Sequence, residues 1–283
     1  MEYEIREMKI GGVLDQGLAV FKDNFRLLFG IMLYVYVPYK LITTLIQLAI
    51  LPDFLVNPNP GGNPNVPPNF DMDALIQMMV VIFAFAIVEG LIVIPLTNAA
   101  VIFAVAQRYL GEEVTAGEAI RKGLSKILPL LGTSLLVFFA VLGGMLLCIV
   151  PGIIFALWFS LAHQVVVLED TSGPEALGRS KKLVSPYLGP MFVLGIVVTL
   201  IGGLGGGALG FVPQPHVRGV LTVFVQAMAT MFSTAVFVVF YFSCRCGVEN
   251  FDLQHLADSV DESVVGNYER SAFEYDDDND DMF

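Results

Sequence analysis

The sequence predicts an all-α integral membrane protein, and three observations carry that reading. The chain is 55% hydrophobic and 15% charged, against ~25% charged in soluble domains. Several apolar runs reach the ~20 residues that a helix needs to cross a bilayer core. These runs are continuously apolar rather than alternating, which excludes a transmembrane β-barrel. The runs place six spans, at about 27–51, 74–110, 128–150, 152–168, 187–211 and 220–244. They form one membrane domain over 1–251, followed by a tail over 252–283.

Three related stretches stand ahead of the hairpins that these spans form. They read QGLAVFKDNFRLLFG from Gln16 to Gly30, EAIRKGLSKILPLLG from Glu118 to Gly132 and EALGRSKKLVSPYLG from Glu175 to Gly189. They align without a gap: Glu or Gln opens each, an apolar residue (Leu18, Ile120, Leu177) follows two later, bases sit inside and Gly closes. Leu14, Leu18, Phe21, Phe25 and Leu28 share one helical face in the first, and Ile120, Leu124, Ile127, Leu128 and Leu131 form the stripe of the second. Each is expected to be an amphipathic helix lying flat at the headgroups. The architecture expected is therefore three hairpin repeats, each preceded by a cytoplasmic amphipathic interfacial helix.

In chain order, Pro38 is expected to kink the first span, with Lys40 near its middle. The segment 52–73 is rich in Pro, Asn and Gly, lacks Lys and Arg, and reads as a loop. The second run, which contains Glu89, would be ~55 Å long as one helix, so a kink at Pro95 and a projection beyond the membrane are expected. Pro151-Gly152 is expected to turn the chain into a short fourth span holding Trp158 and His163. The fifth span contains IGGLGGGALG, whose Gly202/Gly206, Gly203/Gly207 and Gly206/Gly210 spacings suit close helix packing, including a homo-oligomer. Gln226, Thr230, Ser233 and Thr234 share a face of the sixth.

The formal net charge of −12 belongs to the tail, where eleven of the 27 acids and one of the 15 bases lie from Asp252 onward. That end is too acidic and too poor in apolar residues to fold alone. The opening MEYEIREMKI lacks the order of basic flank, apolar core and small-residue site that marks a secretory signal. Three cysteines give no disulfide framework. Basic residues set the orientation: thirteen of the fifteen Lys and Arg fall in segments that six crossings with both termini cytoplasmic would place inside. The expected outer loops hold Arg218 alone.

Pro151-Gly152, Trp158, Glu169 and the EALGRSKKLVSPYLG stretch, with Ala176, Leu177, Arg179 and Ser180 as an AL-x-RS pattern, resemble a bacterial membrane family. It is the membrane domain attached to some glycerophosphoryl diester phosphodiesterases, together with related stand-alone six-span proteins. GGVLDQGLAVFKDNF is similar to that family's opening. The resemblance covers nearly the whole chain except the loop and the tail. It implies a bacterial inner-membrane protein without enzyme activity, because the phosphodiesterase chemistry belongs to a separate barrel of ~250 residues and no catalytic residue carries over. The roles that fit are membrane organisation, lipid handling or partner scaffolding.

Lys40 and Glu89 are charges inside spans. Such charges are costly and face partners or cavities, so the two read either as an ion pair in the path of a small-solute or ion transporter, or as a structural pair. Arg121, Lys122, Lys126, Arg179, Lys181 and Lys182 form a basic set suited to anionic headgroups, at ~1 kcal/mol per residue near the surface; positive-inside anchoring alone also accounts for them. His163 lies one turn from Ser160 but lacks a third group to orient it. Cys244, Cys246 and His255 fall short of a four-ligand metal site. The glycines of the fifth span follow no strand, so they are no nucleotide loop. No metal, cofactor or nucleic-acid partner is expected. The acidic tail reads as a solvated terminus or as a docking arm for a basic protein partner.

Overall fold

A proline inside a helix removes one hydrogen bond and presses its ring against the carbonyl four residues back. The bend it causes therefore falls a turn before the ring. The computed structural model describes residues 3–49 and 72–251; the helix is disturbed a turn before Pro38 and Pro95, whereas Pro129 lies inside the continuous helix Ala116–Leu147. Helix α1 spans Ile10–Asp23, α2 spans Phe25–Tyr34 and α3 spans Tyr36–Ala49. The first span is α2 plus α3, bent by 45° at Val35 and not at Pro38 itself. Helix α4 (Met72–Val88) and helix α5 (Ile94–Tyr109) are joined by a π turn, Glu89–Val93, which contains the residue four before Pro95.

Helix α6 runs unbroken from Ala116 to Leu147. A capping box opens it: the Thr115 hydroxyl accepts from the Glu118 amide, and Glu118 accepts from the Thr115 amide at 2.8 Å. The second amphipathic stretch and the third span are thus one helix, where two had been expected. Helix α7 (Ile149–Trp158) follows after a single extended residue, Cys148, so the turn falls before Pro151-Gly152. Gly152 serves instead as a contact point, since a Cβ on Gly144 of α6 would lie 3.0 Å from its Cα. Helix α8 (Ala162–Leu168), helix α9 (Gly173–Val184), helix α10 (Leu188–Ala208) and helix α11 (Pro215–Glu249) complete the order, and Asn250 closes α11 in the left-handed conformation at φ 54°. No strand occurs among the described residues. The 52–71 part of the expected loop and the acidic tail lie outside them.

Five of these helical segments are long and apolar enough to cross a membrane, or six if the bent α2–α3 pair is one span. The chain is an all-α, multi-pass membrane protein.

Burial is concentrated at one end. From Leu96 to Tyr109, α5 is almost wholly enclosed, and α2, α6, α8 and α11 pack around it. Helix α1 runs antiparallel along the C-terminal half of α11: the Met8 amide donates to Ser243 Oγ at 2.8 Å, Gly17 faces Val236, and Phe21 meets Phe232 at 5.9 Å. The first turns of α6 run back along α5, with Gly123 against the Leu96 carbonyl. Helix α9 folds over α6, α7 and α8. The three related stretches therefore adopt three different settings, and the first stands beside α11 instead of lying across the ends of the spans. One feature is common to them: the second residue of each, Gly17, Ala119 or Ala176, is small and buried. At the other end, α4, α7, α10 and the second half of α6 turn residues such as Phe83, Leu146, Leu147 and Leu204 outward.

Candidate functional site

The charged end is assembled from segments far apart in sequence. Tyr3 stacks on Tyr109 at 5.6 Å, and Tyr109 stacks on Phe242 at 5.2 Å. The Tyr109 hydroxyl donates to the Glu4 carbonyl at 2.7 Å, and the Tyr187 hydroxyl donates to Glu7 at 2.9 Å. These contacts draw the N-terminal segment, the end of α5, the α9–α10 junction and the end of α11 together.

Arg179 is the hub. Its Nε donates to Glu169 at 2.6 Å, and its two Nη groups grip both oxygens of Glu249, one of them at 2.8 Å. The Tyr241 hydroxyl donates to the remaining oxygen of Glu169 at 2.7 Å. Arg245 reaches Glu249 at 3.3 Å and lies 4.0 Å over the Phe251 ring. Arg179, Glu169 and Glu249 are each about one-fifth exposed, so the fork-on-carboxylate geometry is held largely away from water. Next to it, Ser180 donates to the Trp158 carbonyl at 2.7 Å, and the Lys181 ammonium sits 4.2 Å over the Trp158 ring. Trp158, Glu169, Arg179 and Ser180, noted as a sequence pattern, are thus brought into one cluster by α9. Tyr241 and Glu249 complete it, and nothing local in the sequence signals them.

The six basic candidates divide into two groups. Lys126 and, at 3.7 Å, Lys122 both pair with Asp170. The hydrogen bond from Lys126 holds the Asp170 carboxyl below its usual range. Arg179 is clamped as described. Arg121, Lys181 and Lys182 remain exposed. Arg121 shares its helix face with the exposed Leu124 and Leu128, which places a cation and two leucines on one outward stripe of α6.

In the span half, Lys40 Nζ and Glu89 Oε1 are 2.6 Å apart, with side chains about one-quarter and one-fifth exposed. Tyr39 donates to the Phe85 carbonyl at 2.6 Å, fastening α3 to α4 beside this pair. His163 bonds to Ser134 at 2.8 Å, while Ser160 donates to its own helix at Leu157, so no His163–Ser160 pair forms. Cys244 and Cys246 are buried on α11, and His255 lies outside the described residues. Among the described residues, no group of three or more His, Cys, Asp or Glu is disposed to hold a metal ion.

A groove runs between α10 and α11. One part, of about 460 Å³, is lined by Thr199, Gly202, Gly203, Gln226, Thr230 and Ser233 among others. A second part, of about 480 Å³, reaches Tyr36, Lys40 and Arg218.

Together these features define a helical multi-pass membrane protein whose ion pairs among the described residues, Lys40–Glu89 excepted, gather at one end. Residues 99–245, more than half of the chain, match the family described as "Domain of unknown function (DUF7847)", and the chain belongs to that family. The matched region runs from within α5 to Arg245, four residues short of the end of α11. It includes Trp158, Glu169, Arg179 and Tyr241 and leaves out Lys40, Glu89 and Glu249. No curated protein and no solved structure matches the chain.

Proposed function

We propose that this is a non-enzymatic protein of the bacterial cytoplasmic membrane, crossing six times with both termini inside, which organises the inner leaflet by binding anionic lipid headgroups at its charged end. One observation carries the reading: Arg121 is exposed on the same face as the exposed Leu124 and Leu128. Apolar side chains that insert below a basic residue are the mark of an interfacial surface. Lys181 and Lys182 add exposed charge at the same end. The resemblance to phosphodiesterase-linked membrane domains supports a role beside lipids. The small buried second residue in each of the three related stretches supports descent from one repeated unit.

The test uses nanodiscs of phosphatidylcholine alone or mixed with phosphatidylglycerol. The wild type is expected to unfold at a higher temperature in the mixed discs. Arg121→Glu with Lys181→Glu and Lys182→Glu should remove that difference while leaving the helix content intact. Equal behaviour of wild type and triple variant defeats the reading.

A second reading is a small-solute or ion transporter using Lys40 and Glu89. It is favoured by the 2.6 Å pair in the span half and by the groove that reaches Lys40. Ion or solute flux in proteoliposomes, abolished by Lys40→Met with Glu89→Gln in a protein that still folds, would establish it.

A further inference from the structure

We propose that the groove between α10 and α11 binds one anionic glycerophospholipid, with its phosphate at Arg218 and an acyl chain laid along the glycine floor. This site lies at the end of the spans away from the Arg179 cluster and stands independently of the headgroup surface above.

The two parts of the groove share Gly206, Thr222 and Gln226, so they form one continuous channel. Its floor is glycine, and Gly203 and Gly206 are not used for helix contact, while a Cβ on Gly202 would lie 3.8 Å from that of Ala229. A Cβ on Gly203 or Gly206 would meet nothing within 4 Å. The missing side chains leave room that neither helix fills, and in a bilayer such room holds hydrocarbon. Thr199, Thr222, Thr230 and Ser233 each donate to a carbonyl of their own helix, so none of these hydroxyls demands a hydrogen bond from an occupant.

Gln226 differs. Its amide is exposed in the groove and makes no side-chain hydrogen bond among the described residues. An amide facing lipid without a partner is costly, and an ester carbonyl of a glycerolipid satisfies it.

The mouth carries the charge. Lys40 is neutralised by Glu89 at 2.6 Å. Arg218 has no carboxylate partner among the described residues. The excess is one positive charge, which suits one phosphodiester. Phosphate at Arg218, the glycerol and ester region from Gly206 to Gln226, and hydrocarbon over Gly203 and Gly202 follow in the order of a phospholipid's own groups.

Native mass spectrometry on delipidated protein titrated with phosphatidylglycerol or phosphatidylcholine tests this. The Arg121→Glu, Lys181→Glu, Lys182→Glu background removes the other anionic surface. Phosphatidylglycerol should bind as one retained molecule, and Arg218→Gln should weaken it about fivefold with little change for phosphatidylcholine. Gly203→Leu with Gly206→Leu should expel both lipids and leave the melting temperature unchanged, since the added side chains enter open space. The site is overturned if wild type and variants retain phosphatidylglycerol equally. It is also overturned if soluble glycerophosphate displaces the lipid fully, which makes the site one for headgroups only. A dimer that the glycine variants dissociate, with lipid retention unaltered, assigns the groove to a second copy of this chain instead.

Discussion

Two sets of glycines, Gly17 of α1 with Gly123 in the first turns of α6 and those on one face of α10, serve opposite purposes. At the charged end, a Cβ on Gly17 would come within 2.7 Å of a Val236 methyl and 3.0 Å of the Val236 backbone, and one on Gly123 within 2.8 Å of the Leu96 carbonyl. Those glycines admit a neighbouring helix. On one face of α10, Gly203, Gly206 and Gly207 face open space, whereas Gly205 abuts Val225 and Gly144 and Gly152 bring α6 and α7 together. The two helices also differ in burial: half of the apolar window of α11 is enclosed, against 6% for the helix that contains α10. Lipid solvates apolar side chains as well as a protein interior does, so hydrophobicity alone gives the spans no reason to close on one another. Water supplies that reason at the charged end, and the Arg179 clamp ties the layer together there. The charged end is the part that holds the fold.

The largest effects should therefore come from filling its contacts. Gly17→Leu or Gly123→Leu should destabilise by about 3 kcal/mol, the upper range for overpacking, or prevent folding. Gly203→Leu or Gly206→Leu should leave the melting temperature in detergent unchanged. Equal losses at both ends would break the comparison. Next in size is Arg179→Met, which leaves Glu169 only Tyr241 and Glu249 only Arg245 as partners among the described residues. Because these carboxylates are partly exposed, the expected loss is about 2 kcal/mol, below that for a fully buried pair. Removing the span pair as a whole, Lys40→Met with Glu89→Gln, should shift stability by no more than about 1 kcal/mol. A loss as large as that of Arg179→Met would move part of the fold's support into the membrane.

The faces that pack were the least legible feature in the sequence. Of the apolar stripes of the first two stretches, Leu18, Phe25, Leu124 and Leu128 are exposed, while Leu28 is buried and Leu14, Phe21 and Ile120 pack against the core. The buried face is the neighbouring one, Val13, Gly17 and Val20 in α1, and Ala119, Gly123 and Leu130 in α6. Where lipid accepts large apolar groups, close approach selects small ones, so a hydrophobic stripe alone does not identify the packed face. The helices themselves were legible from length and composition. So were the bend at Val35 and the π turn Glu89–Val93, although they lie a turn before Pro38 and Pro95 because a proline strains the carbonyl behind it. Lys40 and Glu89 stood out as lone charges in apolar runs. Glu249 did not, because its partner Arg179 is 70 residues away and only tertiary folding joins them.

The smallest effect concerns Asp170, an exposed acid paired with Lys126. Asp170→Asn should cost less than about 1 kcal/mol and less again in high salt. A carboxyl held below its usual range adds stability above its unfolded value and loses it as pH falls. The gap between wild type and variant should thus be constant at neutral pH, shrink below pH ~4, and vanish beneath the lowered native value. A gap that widens in acid would exclude this pairing.

Labelling in intact cells tests most directly whether the charged end is the cytoplasmic end. The native Cys244 and Cys246 are buried and unsuited to it, so single cysteines belong in a cysteine-free chain. Glu113→Cys lies in the exposed α5–α6 connection at the charged end, and Gln214→Cys is exposed ahead of α11 at the other. An impermeant maleimide should modify Gln214→Cys in intact cells and reach Glu113→Cys only after permeabilisation. Modification of Glu113→Cys in intact cells, or protection of Gln214→Cys until they are opened, would contradict the account.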